Sequence, residues 1–353
     1  MHCTLTQRDF TANFLQALAG LCLALPLSAG ASEALSFVNV AGVPPPARTL
    51  VVTSTVTSAA STAASVNADV EKVLTRPADL WERIRLGFAI PALDHPLVRE
   101  HERWFAEHPE QLRAILERGR KYLHFIVEAA EQRGLPLELT LLPVIESGFN
   151  PMAQSPAQAS GLWQFIPGTG ARYGLEQSQH LDERRDVIAS TAAAFDYLAA
   201  LYAMFGDWHL ALASYNWGEN AVARAADRVR ASGKEVTFGS LSMPEETRNY
   251  VPRLLALSNI VANPAAYGVA LERIPNEPFF VTVALRAEID FATAARFAGM
   301  TQEELRALNP GSKRPGADRG FRAAVLVLPV EKVADFRSNL AAYETSRRPA
   351  QRP

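Results

Sequence analysis

Between Pro109 and Leu257 the apolar residues recur at spacings of three and four, broken at intervals by Gly and Pro. No stretch from residue 69 to 265 alternates apolar with polar residues. Spacings of three and four place side chains on one face of an α-helix, whereas strands need a period of two. This pattern restricts the main part of the chain to an almost wholly helical fold. Pro109 opens a segment whose Leu112, Ile115, Leu116, Leu123, Ile126 and Ala130 trace one face, and Gly134 ends it. Pro136 starts a second helix, with Leu137, Leu141, Val144 and Ile145 turned inward, and Gly148 stops it. A third runs from about Val187 to Phe205, with Gly206 as its C-terminal cap. A fourth starts near Pro244, its apolar side carried by Val251, Leu254, Leu255 and Leu257.

Both ends of the chain read differently. Arg8 precedes an apolar run from Ala17 to Leu27, about half of the ~20 residues that span a bilayer. Small residues at Ala29-Gly30-Ala31 follow, so residues 1–31 read as a signal peptide for export to the periplasm. Both cysteines, Cys3 and Cys22, fall inside it. Apolar residues continue past Cys22 and Leu21 precedes it, so cleavage near Ala31 is favoured over lipidation. Residues 32–68 are rich in Ala, Ser, Thr, Val and Pro and read as a linker. At the far end, Phe279–Val283 and Ala324–Pro329 read as two short strands around helical material, a β-α-α-β outline over 279–335. The formal net charge is −2, from 35 basic and 37 acidic residues, so no cationic field exists to condense on nucleic acid. The seven histidines form no metal-ligand spacing within the main motifs, and neither a metal nor another cofactor is expected.

Chemistry concentrates in four stretches. Pro143-Val144-Ile145-Glu146-Ser147-Gly148 puts a carboxyl at the last turn of an apolar helix. Burial and the negative end of the helix dipole both penalise the anion. A free Glu titrates at about 4.3, and a raised value of about 6 leaves roughly one molecule in ten protonated at pH 7. Cleavage of a glycosidic bond needs such a proton. Downstream, Ser160-Gly161-Leu162-Trp163-Gln164-Phe165-Ile166-Pro167, Ser214-Tyr215-Asn216-Trp217-Gly218-Glu219 and Glu246-Thr247-Arg248-Asn249-Tyr250-Val251-Pro252 combine aromatic rings, amides and a carboxylate. Rings stack on sugars and amides pair with hydroxyl and N-acetyl groups.

In that order the four stretches resemble the lytic murein transglycosylase family, and most of all its membrane-bound type D branch. Leu80–Arg85 and Asp182–Asp186 share the likeness, which covers roughly residues 79–335. The resemblance implies a mainly α, lysozyme-like catalytic domain over 134–265, a helical part before it over 69–133, and a small α+β extension resembling a degenerate LysM module. It implies cleavage of the β-1,4 bond between N-acetylmuramic acid and N-acetylglucosamine in peptidoglycan glycan strands. Glu146 would act as acid and then as base, leaving a 1,6-anhydro sugar. By motif, Ser147 would support the acid, and Ser147, Gln164, Phe165, Tyr215, Asn216, Glu246 and Tyr250 would meet substrate. Asp182, Arg185 and Asp186 would form structural ion pairs. Trp217 and Asn220 depart from the pattern of the third motif, where a small residue and a glycine are usual. A hydrolytic muramidase of the same fold and a non-catalytic peptidoglycan-binding scaffold remain alternatives, and other cell-envelope proteins are candidate partners.

Overall fold

The computed structural model describes residues 76–285, 289–312 and 325–347. The expected signal peptide and linker, with both cysteines, lie outside the described residues. Among these residues are twelve α-helices and one two-stranded sheet.

The first three helices, α1 (Leu80–Leu86), α2 (Pro96–Glu107) and α3 (Pro109–Glu131), lie where the sequence carries Asp79, His95 and Pro109 as start signals. The Asp79 carboxylate accepts from the Trp81 N–H, and Pro stands in the first turn of α2 and α3, where its missing N–H has no partner to lose. Arg83 of α1 is buried, and its guanidinium pairs with Glu128 and Glu131 of α3 at 2.5 Å. That pairing fixes α1 to α3. The predicted face of α3 is buried, Leu112 through Ala130 included.

The helix expected from Pro136 to Gly148 divides in two. Residues Leu137–Leu141 form a 3-10 helix, and α4 (Leu142–Ser147) follows. Pro143 causes the break, because it has no N–H to donate and its ring would collide with the carbonyl of Leu139 in a continuous α-helix. α5 (Pro167–Arg172) is short, and α6 (Val187–Phe205) has the predicted ends: Asp186 caps it through the Ala189 N–H, and Gly206 closes it with φ 66°. Two further helices, α7 (Trp208–Trp217) and α8 (Glu219–Ala231), occupy a stretch read from the sequence only as a motif. α9 (Glu245–Ala262) completes the domain and packs along α2. α6 is long and apolar enough to cross a membrane, but its Phe195, Leu198 and Leu201 are buried in the helical core.

The C-terminal part has the expected β-α-α-β order. β1 (Phe280–Ala284) and β2 (Val325–Pro329) pair antiparallel, Phe280 opposite Pro329 and Ala284 opposite Val325. Between them lie α10 (Phe291–Ala298) and α11 (Gln302–Leu308). A further helix, α12 (Val333–Arg347), extends the unit past residue 335, and its Phe336 and Leu340 fill the small core. Asn309 clips α11 to β2, donating to the Val327 carbonyl and accepting from the Val327 N–H, each at 2.9 Å.

Candidate active site

Glu146 is the only residue of α4 that is partly exposed, and its carboxyl is sheltered by the surrounding elements. The helix ends immediately after it because Gly148 and Phe149 both take left-handed backbone, with φ 57° and 55°. The Phe149 N–H reaches back to the Pro143 carbonyl at 2.9 Å and satisfies one of the carbonyls left free at the helix end. α3 clamps this end from below. Arg118 Nε donates to the Gly148 carbonyl at 2.9 Å, and the Phe149 ring lies so close to Gly119 that a Cβ there would fall 2.4 Å from it.

The Glu146 carboxyl titrates at about 7, raised mainly by burial, and further by the negative charge of Glu246. Tyr250 pulls the other way, donating its hydroxyl to Glu146 Oε1, and so does the positive charge of Arg253. Tyr250 and Tyr215 are themselves pushed well above the ordinary phenol value, by burial first and then by Glu146, so both remain hydrogen-bond donors. Tyr215 spends its proton on the Trp163 carbonyl at 2.9 Å.

The Gln164 turn rests on a glycine. Gly161 has φ 88°, and a Cβ on it would stand 1.8 Å from the Arg184 carbonyl oxygen, so only glycine fits. Gln164 also has left-handed backbone, φ 48°, and its amide nitrogen donates to Gly161 O at 2.8 Å and more weakly to Ala153 O. Trp163 is buried against Phe195 and donates to Thr191 Oγ1 at 3.0 Å. Asn216 joins two elements: it accepts from Thr247 Oγ1 at 2.7 Å and donates toward Glu246 Oε1 at 3.4 Å. Glu246 itself stands exposed on the first turn of α9.

Two of the expected substrate contacts are corrected by this geometry. Ser147 is 3% exposed and its hydroxyl donates to the Leu162 carbonyl at 2.9 Å, tying the acid's helix to the Gln164 turn instead of facing a sugar. Phe165 is likewise buried, its ring edge-on to Tyr215. The ion pair expected of Arg185 belongs to its neighbour. Arg184 and Asp182 pair at 2.9 Å in the interior, whereas Arg185 donates to Ser160 Oγ and Gln154 and Asp186 caps α6. Trp217 packs half-buried against the core, and Asn220 is exposed.

Beside these lie residues that the motifs did not single out: Tyr173, Tyr197, Arg172 and Arg253. Tyr173, Tyr197 and Tyr215 form a row of rings with centroids 4.9 and 5.4 Å apart. Tyr197 donates to Glu219, which pairs with Arg172 at 2.5 Å. Arg253 lies one turn beyond Tyr250 on the same face of α9, and its guanidinium is held below its ordinary value by burial. Its position seven residues after Glu246 was the signal, since i, i+4 and i+7 share a helix face. Among the described residues no three His, Asp or Glu side chains converge as metal ligands.

Fold and site together define a mainly helical domain in which the sheltered carboxyl of Glu146 meets the Tyr250 hydroxyl beside Tyr215, followed by a small α+β appendage. Residues 124–238 match the transglycosylase SLT domain family, and residues 279–345 match the family described as the LysM-like domain of lytic transglycosylase MltD. It is 39% identical over 270 residues to the membrane-bound lytic murein transglycosylase D of Escherichia coli (strain K12), an alignment covering 75% of this chain and 59% of that protein. The chain thus spans about three fifths of that relative's length. It is 33% identical over 121 residues to membrane-bound lytic murein transglycosylase C of Actinobacillus succinogenes, covering 30% of this chain and 34% of that protein. A solved structure of an inactive mutant of lytic transglycosylase Slt from Pseudomonas aeruginosa aligns at 23% identity with a TM-score of 0.33, over 40% of this chain and 24% of the other.

Proposed function

We propose that this protein is an exported lytic transglycosylase that cuts the glycan strands of peptidoglycan at the β-1,4 bond between N-acetylmuramic acid and N-acetylglucosamine. The observation that carries the reading is the Glu146 carboxyl, which titrates at about 7 with Tyr250 donating to it. Near neutral pH about half of such groups hold a proton and half are free to accept one, which suits a single residue acting in both directions.

In the first step the Glu146 proton passes to the glycosidic oxygen as the C1–O4 bond breaks. In the second, the muramyl C6 hydroxyl gives its proton to the Glu146 carboxylate as O6 bonds to C1. The product is a 1,6-anhydro sugar, no water is consumed, and the residue returns protonated. Tyr250 holds the carboxyl and stabilises its anionic form between the steps. The partly exposed Tyr173 and Tyr215, with Asn216 and Gln164, support binding of a sugar chain, and the buried Tyr197 ring packs between the two tyrosines.

A hydrolytic muramidase is the second reading, favoured by one observation: the negative charge of Glu246 acts on Glu146, so a second carboxylate stands within electrostatic range. Mass spectrometry of digested sacculi separates the two, because the hydrolytic product is heavier by one water. Anhydro ends from the unaltered protein and none from Glu146→Gln are the expected result. Equal digestion by both proteins would defeat the enzyme assignment.

A further inference from the structure

The LysM-like module is joined to the helical domain by more than its linker. β2 is apolar at every position, Val325-Leu326-Val327-Leu328, where a strand with one wet face would alternate. Leu326 and Leu328 belong to the module's own core with Phe336. Val327 points the other way and joins Phe280 and Leu308 in the core of the helical domain. The Phe280 ring lies against Phe125 of α3, with centroids 5.6 Å apart. The Tyr122 hydroxyl reaches the Ala307 carbonyl at 3.4 Å.

A second line of contacts runs from this joint to the cleft. The Asp182 N–H donates to the Gly311 carbonyl at 2.7 Å, and Leu181 bridges to Ser312. The Asp182 carboxylate is buried and takes both Nε and Nη2 of Arg184 at 2.9 Å. Arg184 Nη1 in turn donates to the carbonyls of Gln158 at 2.7 Å and Phe165 at 3.2 Å, and the Arg184 backbone is the floor on which Gly161 sits. Gln158 and Phe165 bracket the turn that presents Gln164. The Trp163 carbonyl of the same turn receives the Tyr215 hydroxyl, and Tyr215 is close enough to Glu146 for that charge to raise its own titration.

We propose that the LysM-like module acts as a brace for the cleft, holding the Ser160–Phe165 turn in place through Asp182 and Arg184. The module then contributes to cutting even when it touches no glycan. A buried bidentate pair transmits position well, because neither partner can relax toward water without leaving the other's charge unpaired. The proposal rests on the transglycosylase reading, since it concerns the rate of that cut.

The test uses full-length protein with the joint loosened from either side, Phe280→Ala in the module and Phe125→Ala in α3, and Phe280→Leu as the conservative control. The substrate is a soluble muropeptide tetrasaccharide, too short to occupy cleft and module together. Turnover is measured well below each variant's own unfolding midpoint. Both alanine variants should lose about ten-fold in kcat/KM on the tetrasaccharide, the order of effect that a sub-ångström misplacement produces, and Phe280→Leu should recover most of it. Hydrogen exchange should quicken at the Ser160 and Gly161 amides, whose bonds to Phe165 and Ala153 form the turn, while the α9 amides stay protected. Unchanged turnover or unchanged exchange at those two amides would overturn the brace. A fall in sacculus binding alone would assign the module to anchoring instead. If the unaltered protein fails to cut the tetrasaccharide or sacculi at all, the transglycosylase reading fails, and the brace with it.

Discussion

Replacing Glu146 by glutamine should abolish cutting and, at alkaline pH, make the protein more stable. In the folded chain this carboxyl titrates at about 7, against 4.5 for an unperturbed Glu. The folded state therefore holds the proton more tightly than the unfolded state. Stability is undiminished below pH 4.5, falls as pH rises toward 7, and is flat above it. At about 1.4 kcal/mol for each pH unit of difference, the full penalty is about 3 kcal/mol, of which only about 1 kcal/mol has developed by pH 5. Glutamine keeps the shape and an oxygen for the Tyr250 hydroxyl but has no charge to desolvate. Any cost of the amide itself is independent of pH and cancels when the two pH values are compared. Urea unfolding of both proteins at pH 5 and pH 8, followed by circular dichroism, should show the variant gaining about 2 kcal/mol on the wild type between the two pH values. A stability difference that is the same at both, or that favours the wild type more at pH 8, would refute the argument that burial dominates at Glu146.

Three other outcomes follow from the same geometry. Tyr250→Phe removes a bond that favours the Glu146 anion, so the alkaline limb of the pH–rate profile should move up by about one pH unit or more, given the ~1.5–3 kcal/mol of a hydrogen bond to a charged group. Glu246→Gln removes the negative charge that raises Glu146, so the same limb should move to lower pH with turnover retained; loss of all turnover would instead favour the hydrolytic reading. Gly161→Ala should lower the thermal midpoint sharply, by the equivalent of about 3 kcal/mol or more, because its Cβ meets the Arg184 carbonyl on left-handed backbone.

Periodicity made α3, α6 and α9 legible; Pro109 and Pro244 gave the starts of α3 and α9 to within a residue and Gly206 the end of α6, whereas α3 stops three residues before Gly134. It failed at α4, where the same apolar spacing runs through a 3-10 turn and an α-helix, because spacing does not register the missing N–H of Pro143. α7 has no periodic signal because Leu210 through Ser214 are buried in succession, and the face of α8 is faint because two of its four buried residues, Ala225 and Ala226, are only weakly apolar. The proximity of Glu146 and Tyr250 is a contact between residues 104 positions apart, which no local pattern encodes; only the order of motifs suggested it. Ser147 and Phe165 show the reverse error, since a polar or aromatic residue inside a motif can serve the scaffold. Ser147 has an internal carbonyl to satisfy, and Phe165 has a ring to bury.

The clamp of Arg118 and Gly119 on the end of α4 has a consequence for how such chains can change length. Extra residues before Pro109 or beyond Glu131 leave the clamp in register. A single insertion inside α3 shortly before position 118 swings these two residues round by about 100° and slides them by about 1.5 Å relative to everything upstream. The ring of Phe149 would then meet a side chain where it now meets none, and the acid would lose its footing with every cleft residue intact. Variation in this helix should therefore be by substitution on its wet face, with its length held constant.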